Sequence, residues 1–333
     1  MIKHHSVEIS DKSFLVTGGA GFIGSNIVQY LIENGAKHVR VLDNLSTGFY
    51  KNIEPFEKEK AFEFINGDIR SLKECLSSCK GIDLVTHQAA LGSVPRSIED
   101  PITSNDVNVS GFLNILKAAS ENKIERVVYA ASSSTYGDSK KLPKKEEEIG
   151  KPLSPYAVTK YVNELYADVF YRIYGLNSIG LRYFNVFGPK QDPNGAYSAV
   201  IPLFIKAFLN GQPPTINGDG NQTRDFTFVE NAIQANINAL LTKNTNALNQ
   251  VYNVAYHERH TLNSLVELIK ELTLSENVKP IYGPERNGDI IDSYADIDKA
   301  KKFLNYHPEF DLKDGIILTI DWFKNNKEFI EKR

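Results

Sequence analysis

The stretch Phe14-Leu15-Val16-Thr17-Gly18-Gly19-Ala20-Gly21-Phe22-Ile23-Gly24-Ser25-Asn26-Ile27-Val28 decides the fold. Residues 14–17 are apolar or β-branched and read as a short strand. Residues 23–34 carry apolar side chains at helical spacing and run into Gly35. Between them, glycines at 18, 21 and 24 permit a tight turn, a close approach of backbone to a phosphate, and close packing of helix on strand. The free N–H groups and dipole at the start of the helix favour a negative charge. A glycine triplet alone is weak, because tight strand–helix turns use glycine anyway. Asp43 adds weight: it follows Gly24 by 19 residues and ends the second predicted strand. There it reads either as a turn residue or as the carboxylate that accepts the ribose hydroxyls of a dinucleotide and repels a 2′-phosphate. With the glycines ahead of it, the second reading is adopted, and the expected cofactor is NAD rather than NADP.

Working outward, strands are predicted at 39–43, 62–66, 83–87, 126–131 and 179–184, with helices at 105–122 and 154–174. This alternation predicts an α/β fold, a Rossmann-type doubly wound parallel sheet. After about residue 186, loops rich in Pro, Gly and Asn break the rhythm (Gly188-Pro189, Asp192-Pro193-Asn194-Gly195, Gln212-Pro213-Pro214). The domains are therefore set at 1–185 and 186–333, the second a smaller C-terminal substrate-binding lobe, with strands from about 226–258 returning to the sheet.

The 333 residues are 41% hydrophobic and 24% charged, ordinary values for a chain with a real core, and the formal charge is -3. No basic surplus points to nucleic acid or an anionic membrane. An anionic substrate would need a few local donors. Cys75 and Cys79 stand one helical turn apart. With no third cysteine to build a metal site, they read as ordinary thiols, with a redox pair as the alternative. No apolar run of signal-peptide or membrane-spanning length is present, so a cytoplasmic protein without a bound metal is expected.

The chemistry is sought in tyrosine–lysine pairs. A Tyr and a Lys four residues on share one helix face, where an ammonium can favour the phenolate of a group whose ordinary pKa is about 10. The spacing occurs twice. Tyr136 and Lys140 enclose Gly137-Asp138-Ser139, which breaks helical register. Tyr156 and Lys160 lie inside the predicted helix 154–174, opened by Ser154-Pro155 and closed by Gly175. Upstream, Ser132-Ser133-Ser134 ends a strand where a hydroxyl could bridge tyrosine and substrate. Asp68-Ile69 reads either as a wall of the adenine pocket or as a cap for the helix that follows Ser71.

Together Gly18-x-x-Gly21-x-x-Gly24, the strand-end serines and Tyr156-x-x-x-Lys160 resemble the extended short-chain dehydrogenase/reductases, and nearly the whole chain is similar to UDP-sugar 4-epimerases. The stretches from His87 through Ser97, Leu153 through Glu164 and Arg182 through Gly188 resemble the group specialised for UDP-N-acetylglucosamine and UDP-N-acetylgalactosamine. The resemblance implies Tyr156 as catalytic acid/base, Ser132 as its partner hydroxyl, and Lys160 holding the nicotinamide ribose while lowering the tyrosine pKa. It places Gly18, Gly21, Phe22, Ile23, Gly24, Asp43, Asn44, Ser46, Gly48, Asp68, Ile69, Gln88, Ala89, Ala90, Asn108 and Tyr183 around NAD. It places Gly92, Ser93, Ser134, Asn185, Gln191, Ala199, Val200, Asn217, Arg224, Arg286 and Asp289 around the UDP-sugar. Ser293 matches a position where a bulky tyrosine accompanies restriction to non-acetylated sugars. The implied reaction is reversible inversion of carbon 4 through a 4-keto sugar with tightly bound NAD.

A 4,6-dehydratase would need an Asp-Glu pair where Ser133 and Ser134 stand. Epimerases of UDP-glucose or of a UDP-uronic acid stay open, the latter because of Arg96. A non-catalytic NAD sensor would not need Tyr156 and Lys160 in register. The resemblance also implies a homodimer paired through helices 105–122 and 154–174.

Overall fold

The computed structural model describes residues 2–195, 198–284 and 292–331. Strand β1 (Ser13–Thr17) is buried along its whole length and leads into helix α1 (Phe22–Glu33). There follow β2 (His38–Asp43), β3 (Phe62–Asn66), α2 (Leu72–Ser78) and β4 (Leu84–His87). Next come α3 (Val94–Glu99), α4 (Pro101–Asn105), a π turn over Asp106–Ser110, α5 (Gly111–Glu121) and β5 (Arg126–Ser132). The long helix α6 (Pro155–Tyr174) precedes β6 (Ser178–Tyr183).

The remaining elements are β7 (Val186–Phe187), α7 (Val200–Leu209), β8 (Thr215–Asn217), β9 (Thr223–Arg224), β10 (Thr227–Phe228), α8 (Val229–Leu241) and β11 (Gln250–Val254). They continue through β12 (His260–Thr261), α9 (Leu262–Leu272), β13 (Ile281–Gly283), α10 (Asp298–Leu304) and α11 (Leu312–Asn325).

Seven strands form one sheet in the order β3-β2-β1-β4-β5-β6-β11, and every pairing in it is parallel. Strand order reverses beside β1, so β1 and β4 diverge into separate crossovers and leave a crevice at their carboxyl ends. One face is covered by α1, α8 and α10 around Ile27, Val28, Ile233 and Ala300. The other is covered by α2, α5 and α6 around Cys75, Phe112, Ile115 and Ala167. Strands buried on both faces must be continuously apolar, which is why they read as runs rather than alternations. A third core, with Phe204, Ile205, Leu265, Ile269, Ile316 and Phe323, joins α7, α9 and α11 in a lobe over the crevice. The chain leaves the sheet at Tyr183, builds part of this lobe, returns through α8 and β11, and leaves again.

Three departures from the sequence reading have local causes. The helix predicted at 105–122 begins at Pro101, because Asp100 caps the Thr103 N–H at 3.0 Å, and it contains the π turn. Asp83 drops out of the fourth strand, its carboxylate accepting the Ser13 N–H at 2.7 Å. Phe184 leaves β6 but keeps a bond from its N–H to the Val254 carbonyl at 3.0 Å. Cys75 and Cys79 are buried, free thiols, which burial pushes up to about 12, so neither is a ready nucleophile.

Candidate active site

Gly18 adopts φ +68°, and a Cβ there would lie 2.6 Å from the Ala89 nitrogen. A Cβ on Gly24 would lie 2.1 Å from the Gly18 carbonyl oxygen, so neither position admits a side chain. The N-cap of α1 is Gly21, which has no side chain to occupy the first-turn N–H groups. Asp43 holds this turn, its carboxylate accepting the Ala20 N–H at 2.9 Å and the Leu45 N–H at 2.8 Å. Burial raises its pKa above the usual carboxylate value and the two N–H groups pull it back. The arrangement fits a dinucleotide, with a bare helix terminus for the pyrophosphate and a strand-end carboxylate for the ribose.

Asp68 accepts the forked Arg70 guanidinium, at 2.7 Å from its Nη2, and the Asn44 amide at 2.9 Å. The Arg70 contact above all brings its pKa down to about 2. Ser71, not Asp68, caps α2, so Asp68 belongs to the cavity wall rather than to the helix start.

Helix α6 begins where its first N–H groups find hydroxyls: Ser154 accepts the Ala157 N–H at 3.2 Å, and Ser97 accepts the Tyr156 N–H at 3.0 Å. Tyr156 and Lys160 then face the end of β5. Lys160 Nζ lies 5.9 Å from the Tyr156 ring centroid and donates to the Ala130 carbonyl at 2.8 Å. Burial brings Lys160 from its ordinary 10.5 down to about 8. Burial also raises Tyr156, and the contact that opposes it is the hydrogen bond with Ser132. Ser132 is itself fixed by Ser134, whose hydroxyl donates to it at 2.8 Å and whose N–H does so at 3.1 Å. Tyr136, of the rejected pair, is buried and donates to Asn253 Oδ1 at 2.5 Å, while Gly137 breaks the helix before Lys140.

Beneath the cavity lies a polar network the sequence did not disclose. Tyr183 donates to Gln88 Oε1 at 3.2 Å and accepts from Asn236 at 2.7 Å, and Gln88 donates to Thr86 at 2.9 Å. Alongside it, Thr17 Oγ1 pairs with His87 Nδ1 at 2.8 Å. Burial, with the Lys160 charge adding, holds His87 at about 3 against an ordinary 6.5. The unfolded chain thus binds a proton near pH 6.5 that the folded chain refuses until about pH 3, so stability falls as the pH drops through that window. His87→Gln is expected to flatten this acid limb in urea titrations at stepped pH. An unchanged slope would contradict the assignment.

The glycine turn, Asp43, Asp68, Gln88, Ser132, Tyr156, Lys160 and Tyr183 meet at one cavity of about 490 Å³. Its walls include every residue expected around NAD except Asn108, and, of those expected around the sugar nucleotide, Gly92, Ser132, Tyr156, Asn185, Gln191 and Ala199. A smaller cavity of about 160 Å³ shares Asn185 and Ser198 with it and adds Val200, Asn217 and Arg224.

Four expected residues line neither cavity. Asn108, in the π turn, clamps the Ala90–Leu91 loop by accepting the Leu91 N–H at 2.8 Å and donating to its carbonyl at 3.1 Å. Ser93, at φ 142°, caps α3 by accepting the Arg96 N–H at 3.2 Å, and Arg96 reaches the cavity instead. Ser134 stands behind Ser132. Ser293 is buried, its N–H bonded to the Thr223 carbonyl at 3.1 Å beside Arg224. Arg286 and Asp289 lie outside the described residues. Among the described residues no cluster of His, Cys, Asp or Glu could hold a metal ion, and no helix is long and apolar enough to cross a membrane.

Residues 14–255 match the NAD dependent epimerase/dehydratase family, and the chain belongs to it, with NAD as its cofactor. A structure of UDP-N-acetylglucosamine 4-epimerase from Methanobrevibacter ruminantium M1 is 40% identical, with 95% of this chain and 99% of that one covered and a TM-score of 0.89. The UDP-glucose 4-epimerase of Thermotoga maritima is 35% identical over 95% and 99% of the two chains, with a TM-score of 0.88. The UDP-glucuronate 4-epimerase of Thermodesulfobacterium geofontis is 32% identical over 326 residues, 96% of this chain and 98% of that protein.

Proposed function

We propose that this chain is a UDP-sugar 4-epimerase that interconverts UDP-N-acetylglucosamine and UDP-N-acetylgalactosamine. The observation that carries the reading is the meeting of Tyr156, Ser132 and Lys160 on the same cavity as the glycine turn, with serines at 133 and 134. When bound, NAD supplies a reversible hydride acceptor for carbon 4, so the sugar passes through a 4-keto form, and its cationic ring favours the Tyr156 phenolate. Tyr156 takes the proton of the 4-hydroxyl, directly or through Ser132, and returns it to the same oxygen after the 4-keto sugar has turned its other face to the site. In this reading Lys160, whose ammonium donates to the Ala130 carbonyl, also holds the nicotinamide ribose.

In this reading the lobe of residues 186–333 binds the UDP-sugar. The grip on the nucleotide falls to Asn185, Gln191, Ala199, Val200, Asn217 and Arg224, together with Arg286 and Asp289. A guanidinium such as that of Arg224 suits phosphate oxygens because its planar fork binds two at once. The test is UDP-N-acetylglucosamine deuterated at carbon 4. Label kept at carbon 4 of the inverted product is expected, whereas label moved to carbon 6 with loss of water would identify a dehydratase.

The N-acetyl preference is supported by the 40% identical Methanobrevibacter enzyme and by the small side chain at Ser293. Ser293→Tyr is expected to slow UDP-N-acetylglucosamine at least tenfold more than UDP-glucose, a difference of about 1.4 kcal/mol. Equal losses on both sugars would remove Ser293 from the specificity account. A second reading, a UDP-uronic acid substrate, is favoured by Arg96 in the cavity wall and would show as faster conversion of UDP-glucuronate.

We also place the protein in the cytoplasm as a homodimer. Val158 and Leu165, two turns apart on α6, are 48% and 51% exposed, and Ile102 beside them on α4 is 78% exposed. Light scattering is expected to give twice the chain mass; a monomer would refute the pairing.

A further inference from the structure

Phe329 lies far from the catalytic tyrosine in sequence, yet it touches loops from both rims of the large cavity. It sits in a short turn, Lys327–Phe329, after α11, buried against Trp322 with ring centroids 4.6 Å apart. Its ring receives the Lys51 ammonium, 3.0 Å from the centroid. Lys51 belongs to the turn Tyr50–Asn52, which follows Ser46, Thr47 and Gly48 of the cavity wall. That turn is tied to the glycine loop, because the Phe49 N–H and the Asn52 amide both donate to the Ala20 carbonyl, at 3.0 and 2.9 Å.

On the opposite rim, the Phe329 carbonyl accepts the Asn194 amide at 2.7 Å. Asn194 stands between Asp192 and Gly195, which line the same cavity, and its N–H bonds the Asp192 carboxylate at 2.8 Å. The Asn194 side-chain oxygen Oδ1 accepts the Lys206 ammonium of α7. One residue near the end of the chain therefore joins the cofactor-side loop by its ring and the lobe-side loop by its carbonyl.

We propose that Phe329 is a positioning residue that clasps the two loops across the mouth of the cofactor cleft and so slows the escape of NAD. Opening the cleft requires either the cation–π contact or the Asn194 hydrogen bond to break. The two contacts are in series, so losing either one frees the mouth. This matters for a reaction with no net redox change, in which the same cofactor serves successive turnovers. The proposal rests on NAD in the cavity and not on which sugar is the substrate.

The test is the rate of NAD release from purified holoprotein, timed after rapid desalting. Lys51→Met and Asn194→Ala are each expected to speed release about two- to five-fold, the range a cation–π contact of this exposure supplies. Lys51→Arg keeps a cation over the ring and is expected to release NAD as the parent does. The Lys51→Met/Asn194→Ala double variant is expected to match the faster single variant, since a clasp in series opens once. Parent-like release in both single variants, or a double variant whose acceleration is the product of the singles, would overturn the clasp.

Discussion

Tyr156→Phe is expected to lower turnover by about 10²–10⁴-fold, the range in which a positioned acid/base acts, while fold and NAD content stay as they were. The phenol oxygen is the only atom removed. The helix start does not depend on it, because the backbone N–H groups of Tyr156 and Ala157 are held by Ser97 and Ser154. Ser132 also keeps partners, since the hydroxyl and N–H of Ser134 both donate to it. Burial raises the phenol pKa and so keeps it protonated at rest, and the Ser132 hydrogen bond opposes that shift. Turnover, circular dichroism and the absorbance of released NAD, measured on one preparation, check this. A variant that lost its fold or its NAD would make Tyr156 a structural residue.

Glu164→Ala should cost about 3–5 kcal/mol of stability, a large part of the roughly 5–15 kcal/mol by which a folded protein is stable. Glu164, on helix α6 with Tyr156, receives Arg182 of β6 through two hydrogen bonds, Nε to Oε1 at 2.9 Å and Nη2 to Oε2 at 2.7 Å. Both side chains are buried, at 4% and 7% exposed. Nη1 of Arg182 donates to the Glu146 carbonyl at 2.9 Å, and the guanidinium stacks 4.9 Å from the Tyr136 ring centroid. Removing the carboxylate strands a buried charge that cannot deprotonate. Adding Arg182→Met to Glu164→Ala should therefore restore part of the loss. Urea unfolding of the three proteins checks both statements. A loss of under about 1 kcal/mol for Glu164→Ala, typical of an exposed pair, would show that water reaches the site.

What could be read from the sequence was what the chain encodes locally. The glycine turn, Asp43 at the next strand end and the Tyr156–Lys160 spacing each depend on a few consecutive residues, so pattern and position were enough. The same holds for rejecting Tyr136 and Lys140, since Gly137 cannot carry a helix through them. The residues that escaped act across the fold. Asn236 meets Gln88 and Tyr183 only because α8 returns to the sheet, and His87 meets Thr17 only because β4 pairs with β1. Asn108 is aimed at the Leu91 backbone by a π turn inside the helix, a contact no local pattern discloses. Phe329 carried no local signal, since its ring and its carbonyl serve loops that only the tertiary fold brings together. Asp100 ahead of Pro101 was a legible helix start that the apolar pattern of 105–122 obscured.

The most direct test of the central claim is to incubate the purified protein, with no NAD added, separately with UDP-N-acetylglucosamine and UDP-glucose, and to follow inversion at carbon 4 by NMR. Rapid inversion of the acetylated sugar with slow inversion of the other is the predicted result, and it would support the retained cofactor and the small Ser293 site together. No inversion of either sugar, even after NAD is supplied, would contradict the epimerase account.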